Sequence, residues 1–241
     1  MVRCKVCGGD CKERGGEYVC IFCGARFSAN EVAGKSATAA KESSGADVFE
    51  QNINGILEIR WYDQRYTHSG SGFLISPDGY CITNTHVVTQ ENGRSVGTVS
   101  VKIKGEEVKA TVVALGDNKH GLGEGDDLAL IKLSRVPNGV KVLEFEDFAN
   151  VRIGEKVYVV GNSLGYGTCI TSGIVSDKER LVNGHMLLMT DCAVNGGNSG
   201  GPIFNDKGKV IGAIVSGIDR AEGMNFAIPS KTVMQFIKRY K

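Results

Sequence analysis

The sequence predicts an all-β protein closed by one C-terminal helix and preceded by a small metal-binding module. Three observations carry this. The 241 residues include 33 glycines, as a many-turned β protein requires. Short strand-like runs recur between Gly, Asn and Asp turns. Two Cys-x-x-Cys pairs crowd the first 23 residues. The length allows one medium domain with its own core plus a small module.

The module comes first. Cys4-x-x-Cys7 and Cys20-x-x-Cys23 stand twelve residues apart. Four thiolates at that spacing suit a tetrahedral zinc ion. Gly8 and Gly24 follow the pairs and permit tight turns toward sulfur. Gly15-Gly16 is expected to turn a hairpin, with Glu17-Tyr18-Val19 as its returning strand. Residues 1–27 therefore look like a zinc ribbon that depends on its metal to fold. Cys11 is a fifth thiol. It reads as a spectator, with competition as a ligand left open. Arg3, Lys5, Lys12, Arg14 and Arg26 are offset by Asp10, Glu13 and Glu17, and no aromatic-interleaved basic stripe is present. Nucleic acid is therefore not the expected partner. A protein partner or self-association through the ribbon is expected, beside a passive structural role. Residues 28–46 are small and polar and read as a flexible linker, a natural place for self-cleavage.

The rest, 47–241, is the larger domain. Asp47–Asn52 reads as a short helix, and Ile56–Tyr62 as the first strand. Gly70–Ile75 and Tyr80–Ile82 flank a Pro77-Asp78-Gly79 turn. Further strands are expected at 98–104, 107–115, 128–133, 156–160, 167–176, 186–190, 202–204, 209–216 and 225–228. Ser230 is placed to cap a closing helix with Val233, Phe236, Ile237 and Tyr240 on one face.

Chemistry concentrates at three points. Gly197-Asn198-Ser199-Gly200-Gly201-Pro202 sets a serine among glycines just before a strand, where backbone N–H groups can approach a substrate oxygen. Thr83-Asn84-Thr85-His86 puts a histidine at a strand's end. Asp126-Asp127 leads into the apolar run Leu128–Leu133, and alternation sends the two carboxylates to opposite faces. The order His, Asp, Ser is one of those known for a catalytic triad.

The motifs GSGFLISPDGYCITNTHVV (70–88), DLALIKL (127–133), GNSLGYGTCITSGIVS (161–176), TDCAVNGGNSGGPIFNDKGKVIGAIVSG (190–217) and GMNFAIPS (223–230) run in family order. They resemble the trypsin-like serine peptidases, most closely the bacterial HtrA branch. The resemblance implies two six-stranded antiparallel barrels of the chymotrypsin type with a cleft between them. It implies protein or peptide substrates, a Ser199 nucleophile, His86 as base and Asp127 as its orienting partner. The N–H groups of Gly197 and Ser199, with Asn198 as a further donor, would stabilise the oxyanion. No metal or organic cofactor would take part in catalysis. Asn198 stands where digestive trypsins have Asp, so their switch by a newly cut N-terminus is not expected. Loops 162–166, 195–198 and 218–223 are the candidates for movement. Ala193 and Val194 would make a pocket for small or aliphatic side chains. Substrate would add as a strand along Ile214, Val215, Ser216 and Gly217. The chain ends after the closing helix, so the reading is of a protease domain without the PDZ domain usual in that branch.

Net charge is +1, which gives no global argument for nucleic acid or membrane. No run of about 18 apolar residues is present to span a bilayer. Met1–Cys7 lacks an apolar signal core, so a cytoplasmic setting is expected. Cys81, Cys169 and Cys192 then read as small buried residues. Two rival functions follow from the same residues. One is a protease-fold binding protein whose ribbon recruits a partner. The other is a regulator that processes its own linker.

Overall fold

The computed structural model describes residues 2–3, 10–21, 26–28, 43–116, 127–182, 184–217 and 223–241. The chain divides into two compact units, Met1–Glu42 and Ser43–Lys241.

In the first unit, β1 (Val2–Arg3), β2 (Asp10–Arg14), β3 (Glu17–Cys20) and β4 (Arg26–Ser28) form one antiparallel sheet in chain order. Gly15 and Gly16 turn β2 into β3 at φ +62° and +83°. Side-chain-bearing residues resist that conformation, so the glycine pair fixes the hairpin. The register sets Cys11, which is buried, opposite Cys20. Cys4, Cys7 and Cys23, and the side chain of Cys20, lie outside the described residues, and the expected zinc set lies there with them.

The second unit holds two closed barrels. The first is built from β5 (Ile56–Tyr62), β6 (Thr67–Leu74), β7 (Tyr80–Thr83), β8 (Thr98–Ile103), β9 (Glu106–Leu115) and β10 (Ala129–Leu133), in the order β10-β7-β6-β5-β8-β9. The second is built from β11 (Lys156–Asn162), β12 (Thr168–Val182), β13 (His185–Thr190), β14 (Pro202–Asn205), β15 (Val210–Gly217) and β16 (Asn225–Pro229), in the order β11-β12-β13-β16-β15-β14. Every pairing within the barrels is antiparallel. Closure leaves neither sheet with an edge running its full length.

Period-two alternation sorts the side chains. In β8 Val99, Val101 and Ile103 are buried while Thr98, Ser100 and Lys102 are exposed. The first barrel's own core includes Leu57, Ile59, Leu74, Val101 and Ile131, and the second's includes Val157, Val159, Leu188, Ile203 and Ile214. A third core joins them. Phe73, Ile82 and Leu130 from the first barrel meet Val160, Phe204 and Ile228 from the second. Alternate residues of one strand thus serve different cores, as Ile203 and Phe204 show.

The helices close this joint core. In α1 (Gly45–Asn52), Ser44 and Asp47 form a capping box. The Asp47 N–H donates to Ser44 Oγ at 3.2 Å, and the Ser44 N–H donates to Asp47 Oδ2 at 2.8 Å. In α2 (Ser230–Tyr240), Val233 and Phe236 are buried, while Tyr240 is exposed and packs its ring on Phe236. Ser230 does not cap this helix. It is the first helical residue, and its hydroxyl donates to the Glu146 carbonyl at 3.2 Å. Pro229, the capping residue, has no side-chain donor or acceptor to offer.

Cys81 and Cys192 are fully buried, and burial raises both thiols, Cys192 to about 11. Cys169 departs from the expectation of burial. It lies on an outward position of β12 and is exposed. Iodoacetamide at about pH 8 should therefore label Cys169 in the native protein and spare Cys81 and Cys192 until unfolding. Peptide mass spectrometry checks this, and native labelling of Cys192 would contradict it.

Candidate active site

His86 sits in the turn after β7, and Asp127 lies two residues before the start of β10. These two strands pair, with Ala129 opposite Thr83. The ladder therefore brings the two residues together from 41 positions apart in sequence. His86 Nδ1 lies 2.7 Å from Asp127 Oδ2, and the His86 backbone N–H donates to Asp127 Oδ1 at 3.1 Å. Asp127 is fully buried. A carboxylate can only accept, so Nδ1 carries the proton and Nε2 is left as a base. The turn is pinned to the same strand. Asn84 Nδ2 donates to the Asp127 carbonyl at 2.7 Å, and Thr85 Oγ1 donates to the Leu128 carbonyl at 2.8 Å.

Ser199 lies in the loop between β13 and β14. The loop reaches the histidine turn through Gly200, whose φ is +82°. A side chain there would run into the Ser71 carbonyl, Thr83 Oγ1 and the Asn84 amide. The Ser199 hydroxyl donates to the Val215 carbonyl at 2.9 Å. It is thus turned toward β15 rather than engaged with His86.

The four carbonyls of residues 196–199 are all held. Gly196 O accepts from the Leu164 N–H at 2.6 Å, and Asn198 O accepts from Gly201 N–H at 2.9 Å. Gly197 O accepts from Ser71 Oγ at 2.6 Å, and Ser199 O accepts from Ser71 N–H at 2.8 Å. A trans peptide unit points its N–H opposite to its carbonyl. Fixing the carbonyls of 196 and 198 therefore fixes the amides of Gly197 and Ser199, which no described residue accepts. Asn198 differs from the expected set of donors. Its N–H already donates to the Asn195 carbonyl at 3.1 Å. Leu164 supplies its amide from a left-handed conformation, φ +52°, that leucine rarely adopts.

Around this loop lie the remaining expected residues. Ile214 exchanges both backbone bonds with the glycines after Ser199: its N–H donates to Gly201 O, and Gly200 N–H donates to its carbonyl, each at 2.8 Å. Val215 falls in an irregularity of the β15–β16 ladder, while Ser216 and Gly217 pair with Phe226 and Asn225. The β14 partner of β15 stops at Ala213 and the two glycines take up Ile214, so of the expected strand only residues 215–217 present an edge. Ala193 is exposed, and its carbonyl accepts from Thr171 Oγ1 at 2.8 Å. Val194 packs on the second barrel's core. Asp191 accepts from the Ile174 N–H at 2.7 Å, so it is tied to β12 as a structural carboxylate. Ser71 and Leu164 were not singled out by the sequence. Nothing in a single serine of a strand, or in a leucine, signals a backbone carbonyl 126 or 32 residues away. An open depression of about 1000 Å³ beside Trp61 and His68 is lined by none of His86, Asp127 and Ser199.

The trypsin-like peptidase domain family matches residues 70–212. A probable periplasmic DegP-like serine endoprotease of Brucella suis is 38% identical over 180 residues, covering 72% of this chain and 33% of that protein. A protein of the same description from Rickettsia conorii is 35% identical over 220 residues, covering 83% and 41%. The chain spans about a third of the length of the first of these. Among solved structures, the HtrA-type protease AlgW with tripeptide aligns at a TM-score of 0.70 and 25% identity, covering 81% of this chain and 62% of that one. The serine endoprotease from Yersinia pestis aligns at 0.68 and 24%, covering 82% and 66%, and shows the fold alone. The expected cytoplasmic setting is overturned by these relatives, which are named periplasmic. An N-terminus without an apolar core carries no weight for a chain that spans a third of its relatives' length.

The loop makes a direct stability prediction. Gly197 has φ +92°, and an added Cβ would run into the Asn162 carbonyl. At Gly196 the nearest atom to an added Cβ is Leu164 Cδ2, at 3.9 Å. Gly197→Ala should cost about 1–3 kcal/mol, and Gly196→Ala should be close to neutral. Urea unfolding of the two variants beside the parent checks the difference.

Proposed function

The chain belongs to the trypsin-like peptidase domain family, and from that footing we propose that it is an HtrA-type serine endopeptidase. The observation that carries this reading is the buried Asp127 carboxylate set 2.7 Å from His86 Nδ1, beside a glycine loop that presents Ser199. In this reading Asp127 holds the tautomer of His86 and stabilises the imidazolium. His86 Nε2 takes the proton from Ser199 Oγ as the oxygen attacks a peptide carbonyl. The carbonyl oxygen becomes an oxyanion that accepts from the Gly197 and Ser199 amides. His86 then returns the proton to the leaving amine. Water, deprotonated by the same histidine, releases the acyl group from Ser199.

Before attack, Ser199 must leave the Val215 carbonyl. A substrate strand laid along Val215–Gly217 would place an N–H at that same carbonyl and take it over. Binding and release of the nucleophile are then one event. Ala193 and Val194 favour small or aliphatic side chains at the cleaved bond, because they bring neither charge nor an aromatic wall. Substrates are unfolded or extended protein segments, as strand addition requires.

Casein cleavage tests the reading. The parent should degrade unfolded casein, and Ser199→Ala should not. Asp127→Asn should fold but lose about 10⁴-fold in turnover, through the wrong histidine tautomer. Cleavage that survives Ser199→Ala would refute the assignment.

We also infer that the first unit holds a structural zinc ion through Cys4, Cys7, Cys20 and Cys23. The donor set is four thiolates at knuckle spacing, and the glycine hairpin between the pairs is the described part that supports it. The ribbon would dock a protein partner or a second copy. Elemental analysis should find one zinc per chain, lost in Cys4→Ser with casein cleavage kept. Zinc retained in that variant would remove Cys4 from the set.

A further inference from the structure

One residue of the first barrel turns both its N–H and its hydroxyl to the nucleophile loop of the second. Ser71 of β6 is fully buried. Its N–H donates to the Ser199 carbonyl at 2.8 Å. Its hydroxyl donates to the Gly197 carbonyl at 2.6 Å and accepts from the Asn162 N–H at 2.8 Å. Its own carbonyl accepts from Thr83 Oγ1 at 2.7 Å, in the strand that leads to His86. Both neighbours are shaped to admit it. An added Cβ at Gly161 would lie 2.8 Å from Ser71 Oγ, and one at Gly201 would lie 3.1 Å from Ser71 Cβ.

We propose that Ser71 is a positioning residue for the two oxyanion donors, an inference that rests on the endopeptidase reading above. The peptide units that supply the donors are 196–197 and 198–199. The unit between them, 197–198, is clamped by the Ser71 hydroxyl at its carbonyl and by Asn195 at its N–H. Gly197 is the residue about which the unit would turn, and glycine opposes no rotation of its own. Without the hydroxyl, the Gly197 carbonyl and the Asn162 amide both lose a buried partner. The loop can then turn to satisfy them, and the Gly197 amide moves with it. Ser71 touches no substrate atom. It acts through Gly197, and a displacement of about 1 Å at such a donor is enough to cost about a hundredfold.

The test compares Ser71→Ala with Ser230→Ala, which removes another fully buried hydroxyl bonded to a carbonyl, at the start of α2. Each full-length variant is reacted with an alkyl fluorophosphonate from about pH 5 to 9, at a temperature where urea unfolding shows it folded. Phosphonylation of Ser199 expels fluoride and places an oxygen at the two amides. Ser71→Ala should react about ten- to a hundredfold more slowly at every pH, with the midpoint of the pH profile unchanged, since His86 and Asp127 are untouched. Ser230→Ala should match the parent rate. Ser71→Cys, which fills the space with a weaker donor, should fall between; it carries the test if the alanine variant does not fold. A rate for Ser71→Ala or Ser71→Cys within about twofold of the parent would overturn the proposal. So would an equal loss in Ser230→Ala, or a shifted midpoint with an unchanged plateau. A parent that does not react at all would overturn the endopeptidase reading, and this inference with it.

Discussion

A peptide unit cannot turn its N–H without turning its carbonyl the opposite way. The site depends on that constraint. Four successive carbonyls, from Gly196 to Ser199, each accept a hydrogen bond. What remains facing forward is a pair of amides with no acceptor among the described residues. The arrangement needs no charged side chain. It needs glycines where the chain must pass through left-handed angles, as at Gly197 and Gly200, and donors at the right depth. Leu164 supplies one of those donors from a conformation that costs leucine about 1–2 kcal/mol. Local strain is thus spent beside the loop, and the surrounding ladders hold it.

The two barrels divide the work. The first supplies His86 and Asp127, locked together by the β7–β10 ladder. The second supplies Ser199 and the strand edge at 215–217. Their relative position matters to a fraction of an ångström, and a joint core of large apolar side chains sets it. Phe73 and Phe204 fill that core, and α1 and α2 cover it. Ser71 adds directional bonds where apolar packing is least precise. The Ser199 hydroxyl rests on Val215, so in the proposed reaction it must first be drawn away.

Much of this was legible in the sequence, for physical reasons. Apolar alternation and turn residues located the barrel strands to within a few residues, apart from β12, which runs on to Val182. The glycines around Ser199 betrayed a backbone that must approach other groups closely. The Asp127–Leu133 run announced a carboxylate entering a buried strand. What was not legible depends on contacts between distant backbone atoms. The Asn198 amide is consumed by Asn195, which no residue type reveals. Ser230 begins its helix but bonds to Glu146 across the domain. Cys169 is exposed because strand phase, not residue type, decides its face. The proposed zinc ligands were read from spacing alone, and their geometry falls outside the described residues.

The most direct measurement is a high-resolution structure of the protein after reaction with diisopropyl fluorophosphate. The account predicts an adduct on Ser199 Oγ, swung away from the Val215 carbonyl, with one phosphoryl oxygen about 2.7–3.1 Å from the amides of both Gly197 and Ser199. The carbonyls of 196 and 198 should keep their present donors. An adduct whose oxygen meets neither amide, or a Gly197 amide directed away from it, would contradict the account.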